Sequence, residues 1–230
     1  MTLPRLAFFD VDETLIDIKS MFSFRAFYLL RQLGAANGAQ AEQQEVDRLG
    51  QLMSQGADRA AVNRSFYEVF QGHERSRVIE AADAWFSIEK ERPGFFVDTT
   101  LRALRQHQED GVGIVFVSGS LTEILRPLAE YLGVSDVLAT RLELEAGRYT
   151  GRLAAPQTIG TGKWKAANQL MLERGAKPGD CYAYGDHLSD LSLLESVGHP
   201  RVVAVDPALV EIARLRAWPL MHAASDRQGG

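Results

Sequence analysis

Leu6-Ala7-Phe8-Phe9-Asp10-Val11-Asp12-Glu13-Thr14-Leu15 joins four consecutive apolar residues to a loop that carries carboxylates. An apolar run this short and unbroken fits a strand buried on both faces of a parallel sheet, because a half-exposed strand would alternate apolar with polar residues. The arrangement returns at Gly113 to Val117 ahead of Ser118, at Cys181 to Tyr184 ahead of Gly185-Asp186, and at Val202 to Val205 ahead of Asp206. Between these runs lie stretches with helical periodicity: Thr99 to Gln108, Leu121 to Leu132, Lys163 to Arg174 and Leu188 to Ser196. Strand and helix in alternation predict an α/β fold, a doubly wound, Rossmann-like core around a parallel sheet.

The segment from about Lys19 to Arg92 breaks the alternation and reads as helices with aromatic faces, through Phe22, Phe24, Phe27 and Tyr28, then Phe66, Val69 and Phe70, then Val78, Ala82, Trp85 and Phe86. Pro93-Gly94 marks its exit, since this pair punctuates helices. Residues 1–18 and 93–221 are thus expected to form the core and residues 19–92 an inserted helical domain. Residues 222–230 are polar and expected to fray. From Leu142 to Leu153 apolar and polar residues alternate around Ala146-Gly147, which predicts an antiparallel hairpin.

The 230 residues are 46% hydrophobic and 24% charged, ordinary for a globular chain, and the formal net charge is -5. That balance lacks the basic footprint of a nucleic-acid binder, so an anionic ligand must be held by local groups. The single cysteine, Cys181, sits in an apolar run and reads as a buried structural thiol. No stretch approaches the roughly 18 apolar residues of a membrane span, and no leader is legible before Leu6, so a cytoplasmic location and no membrane partner are expected.

If the strands are parallel, Asp10, Ser118 and Asp186 each lie at a strand's C-terminal end, where open α/β sheets bind ligands. Asp10 and Asp12 can divide the labour of nucleophile and proton carrier; the same pair can also close a turn or cap a helix. Ser118-Gly119 offers a hydroxyl and backbone N–H groups that suit a phosphate, or an ordinary helix cap. Lys163 follows Gly160-Thr161-Gly162 and brings a point positive charge to the start of a helix. Asp186 can join Asp10 in supplying the hard oxygen ligands that Mg²⁺ prefers. Asp190 lies one helical turn further on, and His187 between them is a poor Mg²⁺ ligand.

Taken in order, Asp10-x-Asp12-x-Thr14, Ser118-Gly119, Lys163 and Gly185-Asp186-x-x-x-Asp190 resemble the four motifs of the haloacid-dehalogenase-like hydrolases. The helical segment after the first motif looks like that superfamily's first-position cap. Its length, and the hairpin at Gly147 to Gly151, look most like the subgroup containing phosphoserine phosphatase. The resemblance implies a Mg²⁺-dependent phosphatase of a small-molecule phosphate ester. It makes Asp10 the nucleophile and a metal ligand, and Asp12 the proton donor and acceptor whose backbone carbonyl also meets the metal. It implies that Ser118, Gly119 and Lys163 hold the phosphoryl oxygens, that Asp186 binds Mg²⁺, and that Thr14 and Asp190 support them. A phosphotransferase with the same donor chemistry and a non-catalytic binding protein of this fold are the alternatives.

One position departs from the subgroup. Phosphoserine phosphatases carry a glutamate nine residues after the nucleophile, facing the amino group of serine; here Lys19 stands there. Reversed charge disfavours an ammonium near the leaving group, so phosphoserine is not expected to be the main substrate. Phe22 is a further specificity candidate, and Arg25, Arg59 and Arg64 are candidate anchors for a second anionic group. Monomer and homodimer are both compatible with the sequence.

Overall fold

Side chains alternate across a strand, and that alternation divides the apolar runs between two cores. The computed structural model describes residues 4–222, and in it Leu6–Phe9 forms strand β1. Ala7 and Phe9 enter an apolar cluster on one side of the sheet together with Ile114 and Phe116. Leu6 and Phe8 enter a second cluster with Val115 and Val117. Both faces are therefore covered, as unbroken apolar strands require.

After β1 come helices α1 (Ser20–Leu33), α2 (Ala35–Ser54), α3 (Arg59–Phe66) and α4 (Arg75–Glu89). The chain continues through α5 (Asp98–Glu109), β2 (Gly113–Leu121), α6 (Thr122–Leu132) and β3 (Asp136–Thr140). A hairpin of β4 (Leu142–Glu145) and β5 (Arg148–Leu153) precedes α7 (Thr161–Arg174) and β6 (Tyr182–Gly185). The short helix α8 (Leu191–Leu194), β7 (His199–Val203), α9 (Pro207–Leu215) and β8 (Leu220–Met221) follow. The six-stranded sheet has the order β3-β2-β1-β6-β7-β8, and every pair is parallel. The winding runs outward from β1 through β2 to β3, then outward on the other side from β6 to β8. This is a doubly wound α/β sheet whose switch point falls between β1 and β6, where such sheets form a crevice.

The four helices α1 to α4 form the inserted cap. Its entry and exit segments pair with each other: Asp17 N–H donates to the Phe95 carbonyl (2.8 Å), and Val97 N–H to the Leu15 carbonyl (3.0 Å). Phe24, Tyr28, Phe66, Phe70 and Trp85 belong to the same apolar cluster as Phe9 and Phe116, so the cap seats directly on one face of the core. The hairpin is tied to it through Gly72 N–H to the Tyr149 carbonyl (2.8 Å) and Tyr149 N–H to the His73 carbonyl (3.0 Å).

Three boundaries differ from the sequence expectation. Strand β2 runs past Val117 to Leu121, with a register shift between Ser118 and Leu121, because Ser118 still pairs with β3. The helix expected over Leu188 to Ser196 is a 3₁₀ turn, Leu188–Asp190, followed by the short α8; the Asp190 carboxylate accepts the N–H groups of Asp186 (3.3 Å) and His187 (3.2 Å) and tightens that turn. The last expected strand sits earlier, at His199–Val203, since Asp206 is needed as the cap of α9, where its carboxylate accepts the Ala208 N–H. Cys181 is fully buried. Apart from His222, the tail expected to fray lies outside the described residues.

Candidate active site

Strands β2, β1 and β6 are neighbours, so Ser118, Asp10 and Asp186 meet at one end of the sheet. Beyond β1 the chain closes a tight turn in which the Leu15 and Ile16 N–H groups both donate to the Val11 carbonyl (2.8 and 3.0 Å). Glu13 adopts a positive φ of 60° to complete it. The turn brings Asp12 back beside Asp10 on the same cavity. Asp10 Oδ1 accepts the Val11 N–H (2.7 Å) and lies 2.8 Å from Lys163 Nζ; among the described residues no donor is recorded on Oδ2. Thr14 Oγ1 donates to Asp186 Oδ1 (2.8 Å), while its own carbonyl accepts the Thr100 hydroxyl (2.6 Å).

Lys163 is delivered by the first turn of α7 and is almost wholly buried, between Asp10 and Asp190 Oδ1 (2.6 Å). Gly185 lets Asp190 fold back this far, because a Cβ there would stand 2.6 Å from the Asp190 Cβ. Burial works against the Lys163 charge, but the carboxylates of Asp10 and Asp190 outweigh it and hold the ammonium above its usual range. The carboxylates are in deficit of positive charge. Burial raises Asp10 well above the usual carboxylate range, with Lys163 opposing and Asp190 and Asp186 adding repulsion. Burial and Asp190 lift Asp186 to about 6, against the Thr14 hydrogen bond. Burial also pushes Asp12 up to about 7, opposed chiefly by Ser20 at the start of α1. Asp12 Oδ1 is closed off from solvent with no hydrogen-bond partner among the described residues.

The loop opposite Asp10 is held by residues that sequence reading passed over. Ser120 N–H donates to Ser118 Oγ (3.1 Å), which leaves the Ser118 hydroxyl proton available for the cavity. The Gly119 carbonyl accepts three donors: Tyr67 Oη (2.6 Å), Thr140 Oγ1 (2.9 Å) and Asn63 Nδ2 (3.3 Å). Two of these come from the cap and one from β3. A Cβ at position 119 would meet Ile159 Cγ1 at 2.7 Å, so glycine is required for the close approach. Tyr67→Phe keeps the buried ring and removes one donor; it is expected to lower stability by about 1 kcal/mol in urea unfolding, since Thr140 and Asn63 still satisfy the carbonyl.

These groups open into a cavity of about 360 Å³ between cap and core. Lys19, Phe22 and Arg59 all line it. Lys19 Nζ pairs with Glu13 (3.3 Å) at a half-exposed position, and Arg59 Nη1 lies 2.9 Å from the His187 ring. Arg25 does not reach the cavity as an anion anchor: it is fully buried, its guanidinium forms a two-pronged pair with Glu42 (2.7 and 2.6 Å), and it stacks on Phe66. Arg64 donates to Gln157 (3.2 Å) outside the cavity lining.

The model of the haloacid dehalogenase-like hydrolase family matches residues 7–195, which include every motif assembled above. The chain belongs to this family. Within the haloacid dehalogenase-like hydrolases it is 41% identical over 115 residues to a probable phosphatase of Mycobacterium tuberculosis, a match covering 50% of this chain and 40% of that protein. It is 28% identical over 225 residues to a histidinol-phosphatase of Neisseria meningitidis serogroup C, covering 96% and 99% of the two chains. A phosphoserine phosphatase solved with an analogue of its phospho-aspartyl intermediate shares the fold at a TM-score of 0.67 and 17% identity, covering 98% of this chain and 96% of that one. No helix among the described residues is long and apolar enough to cross a membrane.

Within this hydrolase, Met21, Met53, Val62, Asn63, Phe66, Ser120 and Ile159 complete the cavity wall and were not singled out as site residues from the sequence. Of these only Met21 lies in the aromatic-rich first cap helix; Met53, Val62, Asn63 and Phe66 reach the cavity through the way α2 and α3 lie over the sheet.

Proposed function

We propose that the protein is a phosphatase that hydrolyses a small-molecule phosphate monoester through an aspartyl-phosphate on Asp10, with Mg²⁺ as cofactor. The observation that carries this reading is the convergence of Asp10, Asp12, Lys163 and Asp186 with the Ser118-Gly119 loop on one cavity. The donor set suits Mg²⁺: Asp10, Asp186 and Asp190 offer carboxylate oxygens within 4.8 Å of one another, hard ligands of the kind this ion takes. Burial first, and repulsion among the carboxylates second, raise Asp10 and Asp186, and a bound cation would relieve both. Asp10, Asp186 and the Asp12 backbone carbonyl would hold the ion, while Asp190 is engaged by Lys163 and two backbone N–H groups. When bound, it supplies positive charge beside the phosphoryl oxygens.

The chain's own groups account for the remaining steps. The Asp10 carboxylate attacks phosphorus, the phosphorus–oxygen bond to the leaving group breaks, and Asp12 gives its proton to the departing oxygen. Water then attacks the phosphorus of the aspartyl-phosphate and passes a proton to Asp12; the bond to Asp10 breaks and inorganic phosphate leaves. A carboxyl lifted to about 7 is suited to this exchange, because efficient acid–base groups titrate near the working pH. The Ser118 hydroxyl, the Gly119 N–H and Lys163 hold the phosphoryl oxygens, where fixed donors stabilise charge better than mobile water.

Lys19 at the cavity edge argues against phosphoserine. Its pairing with Glu13 and its half exposure keep the effect modest; an exposed charge is worth up to about 1 kcal/mol, or roughly fivefold. Lys19→Glu is expected to raise kcat/KM for amine-bearing esters relative to other esters by up to about that factor. An unchanged substrate profile would mean that Lys19 does not meet the leaving group. The phosphatase reading itself is tested by phosphate release from a panel of esters, including phosphoserine and histidinol phosphate, in Mg²⁺ and in EDTA. Metal-dependent release is expected, and its failure with every ester would overturn the reading.

A further inference from the structure

Beyond the reacting groups, the cavity wall is formed by Met21, Phe22, Val62, Phe66 and Ile159, with Met53 toward the surface. Phe22 packs edge-to-face on Phe66 with ring centres 5.3 Å apart. The polar side chains that interrupt this wall already have partners. Asn63 gives its amide N–H to the Gly119 carbonyl (3.3 Å) and accepts Gln157 Nε2 on its oxygen (2.9 Å). Ser120 Oγ lies 2.8 Å from the buried Ser20 hydroxyl. At the cavity edge, Glu13 is paired with Lys19 and Arg59 with His187.

A small polar alcohol placed against Met21, Phe22, Val62, Phe66 and Ile159 would leave water for side chains that offer no hydrogen bond. Its hydroxyl or amino groups on that side would go unmatched, which is costly. An apolar body placed on the same wall loses only water and gains contact with aromatic rings and with methionines, which adapt their shape to what they touch. The volume, about 360 Å³, lies at the small end of ligand pockets, roughly 300–1,000 Å³. It accommodates a phosphate and one ring or short chain.

We infer that the leaving group is an alcohol bearing an apolar body, an aromatic ring or short alkyl chain, packed against Phe22, Val62, Phe66 and Ile159. The inference rests on the phosphatase reading and names the substrate class for that same cavity.

The test compares kcat/KM in Mg²⁺ for 2-phenylethyl phosphate and hexyl phosphate with that for phosphoserine and glycerol 3-phosphate, all phosphate esters of primary alcohols. The apolar esters are expected to lead by at least about tenfold. Phe22→Ala, at a partly exposed position that leaves the fold in place, is expected to cut that lead at least about fivefold; Val62→Thr, nearly equal in volume, is expected to cut it in the same direction. Equal or better turnover of the polar esters would overturn the inference while leaving the phosphatase reading intact, as would an apolar lead that neither variant reduces. Failure of all four esters, together with the wider panel, would overturn both.

Discussion

Asp10→Asn is expected to lose turnover by a factor on the order of 10⁴ or more while unfolding at the same temperature as the wild type or above it. The two halves of this result have one origin. Asp10 is buried among Asp186 and Asp190 with Lys163 as the shared cation, and its carboxyl is raised well above its usual range by that burial and crowding. A neutral amide of the same shape removes the cost of burying the charge and the repulsion from Asp190 and Asp186 without opening a cavity, which offsets the weakened contact with Lys163, itself still paired with Asp190. The amide cannot form the acyl-phosphate, so the covalent route closes. Thermal unfolding measured alongside phosphate release separates the two effects; a variant that is inactive because it is unfolded would not support the assignment.

Lys163→Ala is expected to act in the opposite sense on stability. The ammonium is the one cation in contact with both Asp10 and Asp190 among the described residues, at 2.8 and 2.6 Å, and each of the three side chains is at most one-tenth exposed. Removing one member of a buried charge set strands the others, at a cost of about 3–5 kcal/mol. Turnover is expected to fall on the order of 10²-fold or more through loss of a fixed positive charge at the phosphoryl group. Urea unfolding and steady-state kinetics check the pair of effects. Lys163→Arg should not restore activity, because a planar fork cannot replace a compact ammonium between two carboxylates at these distances. A stable Lys163→Ala protein with normal turnover would remove Lys163 from the site.

Strands β1, β2 and β6 are legible because each carries a continuous apolar run, and each run leads into a residue of the cavity: Asp10, Ser118 and Asp186. Asp10, Asp12 and Thr14 share one loop, and Asp186 and Asp190 share another, so local spacing was sufficient to group them. Strand β3 was missed because Asp136 to Ala139 are only partly buried at one side of the sheet, and β8 because it has two residues. Arg25 was misjudged for a different reason. Whether an arginine faces a ligand or a carboxylate depends on the neighbouring helix, and Glu42 on α2 becomes its partner only once the α1–α2 hairpin has formed. Tyr67, Asn63 and Thr140 likewise share no sequence neighbourhood; the Gly119 carbonyl that unites them is a backbone group, invisible to any residue pattern.

The central claim is that Asp10 carries the phosphoryl group in transit. It is tested most directly by mixing the Mg²⁺-loaded protein with a turned-over ester, quenching with acid within a turnover, and locating phosphorylation by peptide mass spectrometry. One alkali-labile phosphoryl group is expected on the peptide containing Asp10, formed in the wild type and absent from Asp10→Asn. Phosphate release with no phosphorylated protein at any quench time, or with the group on another residue, would contradict it.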